Sequence, residues 1–194
     1  MKPTPESLLS LEAYARQRAA LRAGIIAHRK LRSVHLGEHL TLQFEDERTI
    51  RYQIQEMLRI EKIFEPAAIQ DEIDAYAALI PDGANWKATL LLEYPDVDQR
   101  RRELARLLGI EDRVYVEVAG CARTPAIADE DLQRETADKT SSVHFLRFEF
   151  APETVRALQA GAAVAIGCDH PHYTVREAVG DATRDALLRD LAPQ

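Results

Sequence analysis

The stretch His35–Phe44, HLGEHLTLQF, followed by Glu45-Asp46-Glu47, decides how the chain is read. Leu36, Glu38, Leu40, Leu42 and Phe44 alternate with His35, Gly37, His39, Thr41 and Gln43. That period of two, with one apolar face, is the pattern of a half-buried β-strand. Glu45-Asp46-Glu47 reads as a polar turn, and Arg48–Ile54 as the returning partner of a hairpin. On both sides of this stretch the period is helical. Upstream, Leu11, Tyr14, Leu21 and Ile25 predict a long helix over residues 5–32, with Thr4 as cap and Pro5 at the first helical position. Downstream, Met57, Ile60 and Phe64 continue at helical spacing from Gln55, and Pro66 opens a further helix to Ile80, stopped by Pro81-Asp82-Gly83.

Beyond that turn, strands and helices follow one another. Ala88–Tyr94, Arg113–Ala119, Ser142–Phe150 and Ala162–Cys168 read as strands. Helices are expected from Asp96 to Leu108, from Pro152 to Gly161, and from Thr174-Val175-Arg176-Glu177, a capping box, to about Leu191. The expected class is α+β (or α/β), with a mixed, largely antiparallel sheet flanked by helices. A single domain over residues 1–194 is expected. Residues 1–84 would supply the long N-terminal helix, the β-hairpin and further helices, and residues 85–194 the strand and helix core.

Composition bounds the function. Of 194 residues, 46% are hydrophobic and 29% charged, values that exclude collagen-like and disordered chains. The wholly apolar runs are as short as Ala162–Ile166, so no membrane span is expected, and Met1–Ser10 holds no apolar leader core. Cys121 and Cys168 have no CxxC spacing, which suits a reducing, cytoplasmic setting. The net charge of −7 argues against a nucleic-acid partner. It is unevenly spread. Residues 1–32 hold seven basic and two acidic side chains, a net of +5, leaving 18 basic and 30 acidic residues, a net of −12, in the rest. A basic helix beside an acidic body predicts docking to an acidic protein partner or to a second copy in a homodimer.

Several strings taken in order resemble a bacterial family known as a domain of unknown function, number thirty-five-oh-one. They are LGEHLTLQFEDERT (36–49), YQIQEMLRIEKIFE (52–65), LIPDG (79–83), EYPDV (93–97), LLGIEDRV (107–114), IADEDLQRET (127–136) and DKTSSVHFLRFEF (138–150). The resemblance implies no activity and no catalytic set. Genes of that family often lie beside those for rubrerythrin-like and iron–sulfur oxidoreductase proteins, which implies a redox, peroxide or iron context.

Three groups of residues carry chemistry. Cys168, His170 and His172 are spaced i, i+2, i+4, and on an extended strand they would point to one side, where they would suit zinc or iron. Pro171 interrupts that strand, and the alternative is a buried thiol beside two loop histidines. His144 shares an apolar strand face with Leu146 and Phe148, as a core histidine or as an acid/base group, while Arg147 takes the other face with Glu149. Arg18 and Arg22 lie on the first helix, where a cleft would make them an anion site. Alternatively Arg18 reaches water, or pairs with an acid such as Glu56 or Glu61. The acidic run Asp129-Glu130-Asp131, with Glu135 and Asp138, lacks the glycine and spacing of a calcium loop. The chain contains no GxGxxG, GxxxxGK[ST], HExxH or GxSxG string. The expected role is therefore a non-catalytic accessory or ligand-binding protein. A metal-dependent enzyme using Cys168, His170 and His172, or an interaction module using the basic helix, are the alternatives.

Overall fold

The computed structural model describes residues 2–132, 134 and 136–191. Its helices are α1 (Leu11–Lys30), α2 (Glu47–Glu61), α3 (Pro66–Ala77), α4 (Val97–Arg106), α5 (Pro152–Gln159) and α6 (Asp181–Leu188). The strands are β1 (Ser33–Leu36), β2 (Leu40–Phe44), β3 (Asn85–Leu92), β4 (Val114–Val118), β5 (Thr124–Pro125), β6 (Ile127–Ala128), β7 (Val143–Glu149), β8 (Val164–His170) and β9 (Tyr173–Ala178). Two sheets result, ordered β1-β2-β3-β7-β6 and β5-β4-β8-β9, and each pairing within them is antiparallel. The class is α+β. Strand β2, from the first half of the chain, pairs with β3 and through it with β7, so the first sheet draws on both halves.

The period-two stretch forms the hairpin within itself. Leu36 pairs with Leu40, and the chain turns at Gly37, whose φ of +67° suits a residue without Cβ. A Cβ there would also stand 2.9 Å from the Tyr173 hydroxyl. Residues 48–54 do not return as a strand, which corrects the expectation. Ile50, Ile54 and Leu58 repeat every four residues as well as every two, and Asp46 with Thr49 makes a capping box that settles the ambiguity toward α2. The second capping-box string fails the other way. Thr174–Glu177 lies in β9, joined to β8 by the two-residue turn Pro171-His172, and Val175 pairs opposite Cys168. The last helix starts at Asp181, after Gly180. Alternation and capping share the same letters there, and six cross-strand pairs with β8 outweigh a cap worth about 1 kcal/mol.

One apolar core joins the inner face of the first sheet (Leu42, Phe44, Trp86, Leu90, Leu146, Phe148) to the second sheet (Val114, Val116, Ile166) and to helices α4, α5 and α6. A smaller cluster, Ile50, Ile54, Leu58, Ile73 and Ile80, knits α2 to α3. This helical layer stands over the outer face of the first sheet. It leaves a groove there, which positions the site.

Candidate functional site

The β3–β7 register sorts side chains to two faces. Leu90 pairs with His144 and Ala88 with Leu146 toward the core, while Lys87 pairs with Arg147 and Thr89 with Phe145 on the outer face. The candidate site has one part on each side of β7.

Behind the strand, His144 is fully buried. Its Nδ1 lies 2.6 Å from Asp129 Oδ2, and its Nε2 lies 2.7 Å from Thr140 Oγ1, 3.2 Å from the Ser141 carbonyl and 3.6 Å from Glu111 Oε2. Asp129 follows β6 directly and has φ +49°, a left-handed conformation that aspartate tolerates better than most residues. That geometry turns its carboxylate back over β7. Oδ1 accepts the Phe145 N–H at 3.0 Å and an Arg134 N–H at 3.1 Å, leaving Oδ2 for His144. With the Nδ1 proton given to Asp129, a neutral ring accepts the Thr140 hydroxyl proton at Nε2. In the imidazolium, Nε2 donates to Thr140, whose own proton then reaches Glu111 at 3.2 Å.

Among the described residues, Glu111, Asp129 and His144 are the group whose ligand atoms gather within 4.8 Å. The geometry fits an ion poorly. Asp129 already takes one ring nitrogen at 2.6 Å while Glu111 stands 3.6 Å from the other, so an ion would have to displace a hydrogen bond already made. The position off Nε2 already holds Thr140. The cluster works as a set of hydrogen bonds that fixes the segment from β6 to β7.

In front of the strand lies a groove of about 430 Å³ between the outer sheet face and α2 and α3. Phe145, Tyr76 and Leu79 form its apolar wall, and Lys87, Arg134 and Arg147 bring three cations to it. Arg147 holds Glu130 through two bonds of 2.8 Å and also pairs with Glu149. Arg134 lies over the Phe145 ring at 4.4 Å and grips both Asp131 oxygens. Lys87 donates to the Ala78 carbonyl at 2.6 Å, and burial lowers its pKa below the ordinary lysine value. Glu72, which burial and Glu61 push upward, completes the acidic side. Asp129 links the two parts, because its two oxygens serve Arg134 in front and His144 behind. The groove runs on into a second hollow of about 300 Å³, lined by Arg29, Glu45, Thr89 and Leu91, with Tyr76, Leu79 and Phe145 common to both.

The other sequence-chosen residues fall elsewhere. Cys168 is buried in the core opposite Val175, and burial raises its thiol to about 11. His170 lies 3.1 Å from the Leu108 carbonyl through Nε2 and accepts the His172 N–H at Nδ1, so both nitrogens are in use. Its pKa is lowered, chiefly by burial. The structure does not bring Cys168, His170 and His172 together as a ligand group. Arg18 forms a two-bond pair with Glu56 at 2.7 and 2.8 Å, joined by the Tyr14 hydroxyl at 2.5 Å, and this holds Glu56 down at about 2. Arg22 is exposed. His144 and Arg147 thus sit back to back at one strand, whereas Arg18 and Arg22 lie apart from it. In the acidic run, Asp129, Glu130 and Asp131 all hold arginines, and Glu135 lies outside the described residues. Lys87, Tyr76, Arg134 and Glu111 were not found from sequence. Only Arg134 carried a local signal, its place within the acidic run.

Among the described residues, no helix is long and apolar enough to cross a membrane. The family described as "Protein of unknown function (DUF3501)" matches residues 2–191. A crystal structure of a novel protein of unknown function from Burkholderia pseudomallei is similar to this chain, with 55% sequence identity and a TM-score of 0.94, covering 99% of this chain and 100% of that one. No curated protein matches.

Proposed function

We propose that this chain, which belongs to the DUF3501 family of proteins of unknown function, is a non-catalytic ligand-binding protein that takes its ligand in the groove in front of β7. The redox, peroxide or iron setting is carried by the family resemblance and forms part of this reading. The observation that carries the binding role is the separation of parts across β7. The groove offers binding groups of both signs, three cations and the carboxylates Glu72, Glu130 and Asp131, beside an aromatic wall. The acid/base candidate, His144, is turned into the core with both ring nitrogens occupied. Such a lining suits a small ligand that carries both charge signs, held by position and not transformed.

The test is native mass spectrometry of untagged full-length protein, with metal analysis of the same sample. The reading expects a small organic molecule to be retained at near one per chain, and to be lost from the Lys87→Met, Arg147→Met double variant while that variant keeps its melting temperature. Stoichiometric zinc or iron that disappears on Cys168→Ser or His172→Ala would replace this reading with the metal-dependent enzyme.

A further inference from the structure

Helices α1 and α2 run side by side, with Tyr14 reaching Glu56 near one end and Gly24 facing Arg48 near the other. Between them is a second groove, of about 500 Å³ and more apolar than the one at β7. Its floor is built from Tyr14, Leu21, Ile25 and Tyr52. Leu21 remains 38% exposed although it sits on the same face as buried Tyr14 and Ile25, so the helix pair leaves apolar surface uncovered. Three arginines border it, Arg16, Arg48 and Arg51, and the lining contains no aspartate or glutamate. Arg51 is neutralised by Glu47 and donates to the Ser7 carbonyl. Arg16 and Arg48 make no hydrogen bond or salt bridge among the described residues. The Arg48 guanidinium lies over Gly24, close enough that a Cβ there would stand 3.1 Å from Nη2. From Arg16 to Ile25 the helix rises about 14 Å, so the hollow is elongated.

We propose that this groove binds a small amphipathic anion, a carboxylate head on a linear apolar body, with Arg48 holding the head at the Gly24 end and the floor of Leu21 and Tyr14 taking the chain toward Arg16. Charge complementarity selects the anion: Arg48, with no hydrogen bond or salt bridge among the described residues, stands over an apolar surface whose lining holds no acid. This site is separate from the groove at β7, and either can fail without the other.

Isothermal titration of the full chain with octanoate, 1-octanol and acetate tests it. Octanoate is expected to bind one per chain, with 1-octanol and acetate each at least about tenfold weaker. Arg48→Met is expected to weaken octanoate about tenfold while leaving the melting temperature and 1-octanol binding unchanged. Gly24→Ala, which crowds Arg48, should move octanoate affinity in the same direction. Equal binding of 1-octanol and octanoate, or octanoate affinity untouched by Arg48→Met, overturns the proposal. So does the absence of octanoate binding, including the case in which light scattering shows that a second copy of the chain covers this face.

Discussion

Two regions of this molecule treat their charged groups in opposite ways. At the end of α1 and behind β7, polar side chains are inside the protein and every one named there is held on several sides. Arg32, 1% exposed, donates to the carbonyls of Phe44, Glu45 and Ala186 and to Asp190, tying the C-terminal segment to β2. His144 is caught between Asp129 and Thr140 in the same manner. Along the α1–α2 groove, by contrast, Arg16 and Arg48 are at the surface, and Arg48 faces apolar side chains without a carboxylate in the groove lining. A buried charge survives only with a full set of partners, so the interior knots are architecture. A cation left unpaired beside an apolar floor costs little at the surface, and it is there that a ligand finds something to bind.

The largest effect that would break this comparison is at Arg32. Arg32→Met leaves Asp190 and three carbonyls without their donor and is expected to cost about 3–5 kcal/mol by urea unfolding. A loss under about 1 kcal/mol would place the interior knot with ordinary surface pairs. His144→Leu, which strands Asp129 and Thr140, should cost about 2–3 kcal/mol, with faster hydrogen exchange at the Phe145 amide. Unchanged exchange there would mean that the segment from β6 to β7 does not depend on the histidine.

The two regions also titrate with opposite sign. Burial, outweighing the pull of Arg32, holds Asp190 at about 6, with Asp46 adding to the rise. That value lies above the 3.8 of the unfolded chain, so the contribution of Asp190 is complete below 3.8 and is lost as pH rises through 6. Relative to Asp190→Asn, the native chain should gain about 1.5 kcal/mol of stability from about pH 7.5 to about pH 5, approaching about 3 kcal/mol only below the unfolded value. Glu56, held at about 2 chiefly by Arg18, does the reverse: its contribution is present above 4.5 and is lost as pH falls toward 2. Parallel pH curves for the native chain and Asp190→Asn would show that burial does not raise the acid. The smallest effect belongs to the exposed pair itself. Arg18→Ala should lower stability only slightly, and less at high salt, well below the loss expected at Arg32.

Much of the fold was legible. The apolar face Leu36, Leu40, Leu42 and Phe44, the Asp96 cap and the Pro152 helix start all follow from local period and capping, which act within a few residues. The long first helix does too, although it begins at Leu11 with Ser10 as its cap and not at Pro5 after Thr4, where only a single 3-10 turn forms. The errors fell where one string satisfies two local rules. Ile50-Arg51-Tyr52-Gln53-Ile54 fits both periods, and Thr174–Glu177 is both an alternating strand and a capping box. A local cap, Asp46 with Thr49, decided the first case, with Ile73 packed across α2, and a partner distant in sequence, Cys168 across β9, decided the second.

For the site, the sequence by itself determined that His144 and Arg147 occupy opposite faces of one strand, that the basic charge is concentrated at the N-terminus, and that Asp129 belongs to an acidic run. Tertiary structure alone decided which of these groups meet. It brought Asp129 to His144 across 15 residues and Glu111 to Thr140 across 29, and it gave Arg18 to Glu56 while leaving Arg48 and Arg16 at the groove. The physical reason is that a hydrogen bond or ion pair is a contact of about 3 Å, whereas the information in local sequence ends within a helical turn or a strand's length. Which side chains come that close is set by how the sheets and the helical layer pack.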